Sequence, residues 1–377
     1  MFRHDGATIY CERHPMTTDT IDLSRDRPAA PGRAPAAARS DDKAMLKAAA
    51  DLTRDLNRAS PAVYWADLIA STLLGYGAFA LTLLAGSTGV AVLAGLVAVL
   101  ALYRAGSFIH ELTHLKPGAV PRFRLVWNVI VGVPLLVPSF LYEGVHNQHH
   151  GKTYYGTAND PEYLPLALMR PWTLPVFLIA AVLAPIGMLI RFGILAPLSI
   201  VFPKLREAVV SRYSGLQINP VFRRPAPQGK FARDWALQEV AATLWAIALI
   251  VMAATGIIPL RTFLIGLGIA SGVMFLNQIR TLVAHLWEND GEPMSVTAQY
   301  LDSVNVPPPA TLPALWAPVG LRYHALHHLL PGLPYHALGE AHRRITAALD
   351  KGSIYHNASY RGLSPLVAKL AASSWRA

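Results

Sequence analysis

The sequence predicts an all-α integral membrane protein with four transmembrane helices, two interfacial or re-entrant helices and a cytoplasmic histidine-rich cap. Three observations predict it. Of 377 residues, 53% are hydrophobic and only 15% charged, whereas soluble globular chains carry about 25% charged residues. The apolar residues gather in runs close to the ~20 residues that span a bilayer core. Eight of the 14 histidines sit in three short boxes at the ends of such runs or in the loops after them.

In chain order, residues 1–45 are polar and rich in Ala, Arg, Asp and Pro. They read as a disordered tail, with no apolar segment that would make a secretory signal. From Ala62 to Tyr103 the single charged residue is Asp67, and Gly86-Ser87-Thr88-Gly89 breaks the run. Two membrane helices are therefore expected at 64–85 and 89–109. A second pair is expected at 240–256 and 262–279, separated around Pro259. Two intervening segments fit less simply. Residues 125–141 hold Pro134 and Pro138 and are short for a span. Residues 172–202 hold Pro175, Pro185, Pro197 and Arg191 and are too short for two. The loop 204–233 carries seven Lys or Arg against Glu207 alone, which marks it as cytoplasmic. If all boxes face that side, each uncertain segment crosses an even number of times, hence the re-entrant or interfacial assignment. The domain organisation is a tail (1–45), a catalytic membrane domain (46–350) and a C-terminal tail (351–377).

The formal net charge is +10. With no aromatic-interleaved basic patch, this fits cytoplasmic loops rather than nucleic-acid binding. Cys11 is the sole cysteine, which excludes an internal disulfide and a cysteine-ligated iron–sulfur cluster.

The boxes are His110-Glu-Leu-Thr-His114, His146-Asn-Gln-His149-His150 and His324-Ala-Leu-His327-His328. On a helix, positions i and i+3 or i+4 share a face, so members of one box converge. Neighbouring histidines diverge by about 100°, so a His-His pair can straddle two ions. A lone interfacial histidine is ordinarily a solvated or hydrogen-bonded side chain. Eight clustered imidazoles beside a bilayer are costly without a ligand, and the H-x-x-H-H spacing occurs twice. His285, about one turn past the last apolar run, is a ninth candidate. Imidazole suits Fe, Zn, Cu and Ni. Eight or nine ligands exceed the needs of one ion and fit two.

These boxes resemble those of the membrane fatty acid desaturase superfamily, which includes lipid and carotenoid hydroxylases. The flanking Asn159-Asp160-Pro161-Glu162, Arg280-Thr281…His285 and Leu329-Leu-Pro-Gly-Leu-Pro-Tyr335 with Glu340-Ala-His342 fit as well. The likeness covers about residues 60–345. It implies that His110, His114, His146, His149, His150, His285, His324, His327 and His328 hold two Fe ions, with O2 as co-substrate. Where part of the family has a water-mediated Asn ligand, this chain has Thr281, and that role is not carried over. The implied reaction is oxidation of an unactivated C–H bond in a fatty acid or lipid chain. Fatty acyl desaturation is the first expectation; hydroxylation, or decarboxylation to a terminal alkene, is the alternative on the same site. With no His-Pro-Gly-Gly motif in the chain, electrons would come from an external ferredoxin, rubredoxin or cytochrome. The Ala-, Arg- and Pro-rich composition points to a GC-rich bacterium and its inner membrane.

Ligating histidines usually donate their second N–H to a carboxylate or carbonyl. Glu111, Glu143, Asp160, Glu288 and Glu340 are the sequence candidates, each against the simpler reading of an ion pair. His336 and His342 could orient ligands or belong to a surface helix; His4, His14 and His356 read as solvated. Two rival classes remain. His110-Glu111-Leu-Thr-His114 matches the H-E-x-x-H of an intramembrane zinc protease, which would leave six boxed histidines idle. A metal transporter would place its ligands within the spans.

Overall fold

A computed structural model describes residues 40–376. Most of the expected disordered tail, residues 1–39, lies outside the described residues. The last residues of that stretch are structured: Asp42 caps helix α1 (Lys43–Leu52) by accepting from Met45 N at 3.0 Å, and Met45 is buried.

Proline at a first helical turn, where no amide donor is needed, opens α2 (Pro61–Leu84). The predicted Gly-Ser-Thr-Gly break ends it, and Ser87 caps α3 (Thr88–His114). The pair packs closely enough that a Cβ on Gly75 would lie 2.7 Å from Leu102. Asp67, the lone acid of this region, forms a bidentate pair with Arg104 at 2.7 and 2.5 Å and accepts from the Tyr335 hydroxyl at 2.9 Å. An intramembrane acid is tolerated when partnered in this way.

Helix α4 (Phe123–Trp127) continues as a π-turn to Gly132; it is too short to cross, as expected. Next come α5 (Val145–His149), α6 (Thr173–Ile190), a π-turn at Arg191–Leu195, α7 (Ala196–Val201) and α8 (Pro203–Arg212). Then follow α9 (Gly229–Ala254), α10 (Leu260–Leu282), α11 (Val296–Asp302), α12 (Pro313–Trp316), α13 (His324–Leu329), α14 (Leu338–Ala348) and α15 (Leu363–Arg376). No strand occurs among the described residues, only isolated bridges.

Among the described residues, five helices are long and apolar enough to cross a membrane by length and composition, one more than the four spans expected. The fifth is the unbroken stretch Thr173–Val201. Pro175 and Pro197 fall near helix starts, the π-turn lies just before Pro197, and Pro185 stands inside α6 without ending it. Contacts hold both ends of this stretch. Phe177 packs in one cluster with Trp287. Arg191 hydrogen-bonds Ser214 at 2.7 Å and pairs with Glu239 at 2.6 Å.

The C-terminal segment, expected as a tail, ends in α15. This helix buries Leu366 and Leu370, and Ser374 donates to Met169 O at 2.8 Å.

Candidate metal centre

Each box reaches the site by a different local device. His110 and His114 occupy the last turn of α3. The second box is α5, entered through Gly144 at φ +80°. The third is α13, pinned by Leu326 N donating to Asn305 Oδ1 at 3.0 Å and Ala325 N to Val304 O at 3.1 Å. His285 follows α10 and bridges through its backbone to Ser303.

All nine sequence-predicted histidines converge, in two groups. His110, His114, His146, His150 and His327 form one; His149, His285, His324 and His328 form the other. Within each, one donor nitrogen per residue lies within 4.8 Å of the rest. The two H-x-x-H-H boxes divide in mirrored fashion. The outer pair of box two, His146 and His150, serves the first group and His149 the second. The outer pair of box three, His324 and His328, serves the second and His327 the first. The i,i+4 spacing keeps outer pairs on one face, and the middle histidine crosses to the other centre.

The donor set fits cations. Nε2 atoms face one another at 3.0 Å (His146–His150), 3.1 Å (His150–His327), 3.0 Å (His285–His324) and 3.2 Å (His324–His328). Several outer nitrogens are meanwhile held by acceptors. His146 Nδ1 lies 3.0 Å from Glu162 Oε1, and His149 Nδ1 lies 2.9 Å from Asp160 Oδ2. His285 Nδ1 lies 2.8 Å from the Tyr155 hydroxyl, which donates to Asp302 at 2.9 Å. A proton on Nδ1 leaves a lone pair on Nε2, and inward-facing lone pairs at such distances suit a shared cation. Both nitrogens of His110, Nε2 of His114 and Nδ1 of His150, His324, His327 and His328 are buried without partners. Burial holds His146, His150, His285, His324, His327 and His328 well below the ordinary histidine value. They are thus neutral and ready to coordinate.

Of the predicted supporting carboxylates, Asp160 is in place. Its oxygens also accept from Gly156 N and Glu162 N, both at 2.8 Å. The loop needs glycine at 156, where φ is +71° and a Cβ would sit 2.5 Å from Asn289 Nδ2. Glu111 binds the Tyr64 hydroxyl and Tyr335 N, and its other oxygen stays 3.7 Å from His110 Nδ1. Glu143 instead pairs with Arg124, Glu340 with Arg343 and Arg344, and Glu288 lies 3.5 Å from Lys369. His336 accepts from Ser60 N, and His342 meets the Tyr355 hydroxyl. Sequence reasoning missed Glu162, Asp302, Tyr142 and Tyr155. Glu162 carried a signal, standing two residues beyond Asp160. Tyr155 and Asp302 reach His285 from 130 and 17 positions away, with no local pattern to betray them.

This geometry weakens the zinc-protease reading, since Glu111 is tied down and His110 and His114 join three further histidines. A cavity of about 600 Å³ leads to the first group. It is lined by His110, Trp127, Val131, Tyr142 and Glu162, by Phe177, Ala181 and Met188 of α6, and by Met274 and Arg280 of α10.

The family described as Fatty acid desaturase matches residues 86–360. The chain belongs to that family. This member is also 50% identical to a protein of Caulobacter vibrioides (strain NA1000 / CB15N) named ceramide hydroxylase, over 324 residues covering 86% of this chain and 92% of the relative. No solved structure matches. The chain is therefore an enzyme, an oxidoreductase of the membrane non-haem di-iron class that oxidises C–H bonds in lipids.

Proposed function

We propose that this enzyme hydroxylates a ceramide-like lipid at an unactivated C–H bond, using two Fe ions held by the nine histidines and O2 as co-substrate. The observation that carries the reading is the apolar cavity that ends at His110, because it offers a long chain a dry route to the histidine cluster. The half-identical relative named ceramide hydroxylase supports the substrate class and the outcome. When bound, the ion pair supplies the oxidising power that breaks the C–H bond.

The protein does the rest. Glu162, Asp160 and the Tyr155–Asp302 pair hold protons on Nδ1 and so direct Nε2 lone pairs inward. Trp127, Val131 and the α6 face set which carbon meets the site. In hydroxylation, one O2, two electrons and two protons convert the C–H bond to C–OH, with one water released. Desaturation uses the same inputs to remove two hydrogens from adjacent carbons and releases two waters; the family's description favours it as the second reading. With Cys11 the sole cysteine, an external ferredoxin, rubredoxin or cytochrome delivers the electrons. The loop of seven Lys or Arg over residues 204–233 supports a cytoplasmic face on a bacterial inner membrane.

The test is mass spectrometry of lipids from cells making the chain, with His149→Ala as control. Gain of one oxygen in a ceramide, lost in the control, is expected. Loss of two hydrogens would select desaturation, and no change in any lipid would refute both.

A further inference from the structure

We infer that Arg280 is a binding subsite for the amide at the substrate's polar end, so that the oxidised carbon lies within a few bonds of that amide. This deepens the ceramide reading and rests on it.

Arg280 lies in the last full turn of α10, only 8% exposed, and lines the same cavity as His110. Its Nε is buried without a partner, and no ion pair engages it among the described residues. Tyr103 and Tyr142 stand near its guanidinium, and their hydroxyls carry no opposing charge. A buried cation left so incompletely matched is costly and is retained where a ligand completes it. Guanidinium has donors and no acceptor, so the missing group offers an oxygen. The carbonyl oxygen of an amide is such a group. Glu162 lies close enough to feel the Arg280 charge. That carboxylate makes the subsite fit a neutral amide better than a phosphate.

The polarity runs in one direction. Tyr142 stands four residues before His146, and Arg280 five before His285. Val273 and Met274 of the same cavity lie about 10 Å deeper along α10, at 1.5 Å per residue, beside Ala181 and Met188. The polar end of the lipid therefore sits beside the histidines and its chain runs toward the apolar end.

The experiment supplies one saturated ceramide of defined chain length to membranes of cells making the full chain, with a ferredoxin and its reductase. Tandem mass spectrometry locates the added oxygen. In the wild type it is expected within the first few carbons from the amide. Arg280→Gln is expected to raise KM about tenfold, the effect of one charge-assisted hydrogen bond, and to scatter the position, with iron content unchanged; Arg280→Lys should recover part of both. Oxygen at mid-chain or at the methyl end in the wild type overturns the inference while leaving the hydroxylase reading intact. So does an Arg280→Gln protein with unaltered KM and position, or one that loses iron in step with activity. Absence of any oxidised ceramide removes the substrate reading and this inference together.

Discussion

Replacing Asp160 by Asn isolates the electrostatic support of one histidine group. Both carboxylate oxygens of the buried Asp160 are engaged, Oδ1 by His149 and Glu162 N, Oδ2 by His149 and Gly156 N. Whichever way the amide turns, its NH2 replaces an oxygen that accepts a backbone N–H at 2.8 Å, so donor meets donor. The charge that makes His149 a stronger base is lost as well. A hydrogen bond to a charged group is worth about 1.5–3 kcal/mol, which is about 10–100-fold in affinity for the ion bound by His149, His285, His324 and His328. The other group, with five histidines, should be spared. Elemental analysis after graded chelation is the assay. The variant should lose one iron at chelator concentrations roughly tenfold or more below wild type and keep the other. Equal loss of both irons, or wild-type retention of both, would refute the argument that Asp160 acts through His149.

Tyr155→Phe removes one of two oxygens beside His285 Nδ1 but leaves Ser303 Oγ at 3.1 Å, so the same assay should show a loss under about tenfold. Ala181→Phe thrusts a ring into the cavity; turnover of long-chain lipid should fall steeply while iron content stays at wild type. Arg191→Met leaves Glu239 with Arg206 alone, at 2.8 Å; losing one hydrogen bond between charged groups should cost about 1.5–3 kcal/mol, seen as a lower Tm in detergent. Burial lowers His342 to about 4. The unfolded chain then binds more protons between about pH 4 and 6.5, so Tm should fall as pH drops through that window, and His342→Leu should flatten the profile.

The apolar helices and the clustering of the nine histidines were legible because their signals are local. Apolar runs broken by Gly86–Gly89 and Pro259 fixed two helix pairs, and i,i+3/i,i+4 spacing placed each box on one face. The span count was harder. Residues 172–202 read as re-entrant because all the boxes were placed on one side, yet they form one unbroken helical stretch of spanning length. What the sequence concealed is tertiary. The partners of His285 and the cavity wall come from segments far apart in the chain, and Glu143 and Glu340, close to the boxes in sequence, turn to arginines instead.

The central claim is that histidines from four stretches of the chain grip two irons. Elemental analysis of the purified full chain, taken with its lipid-oxidising activity, tests it most directly. The account requires two irons per chain, with activity lost on their removal and regained on adding ferrous iron. One zinc per chain, or full activity in iron-free protein, would contradict it.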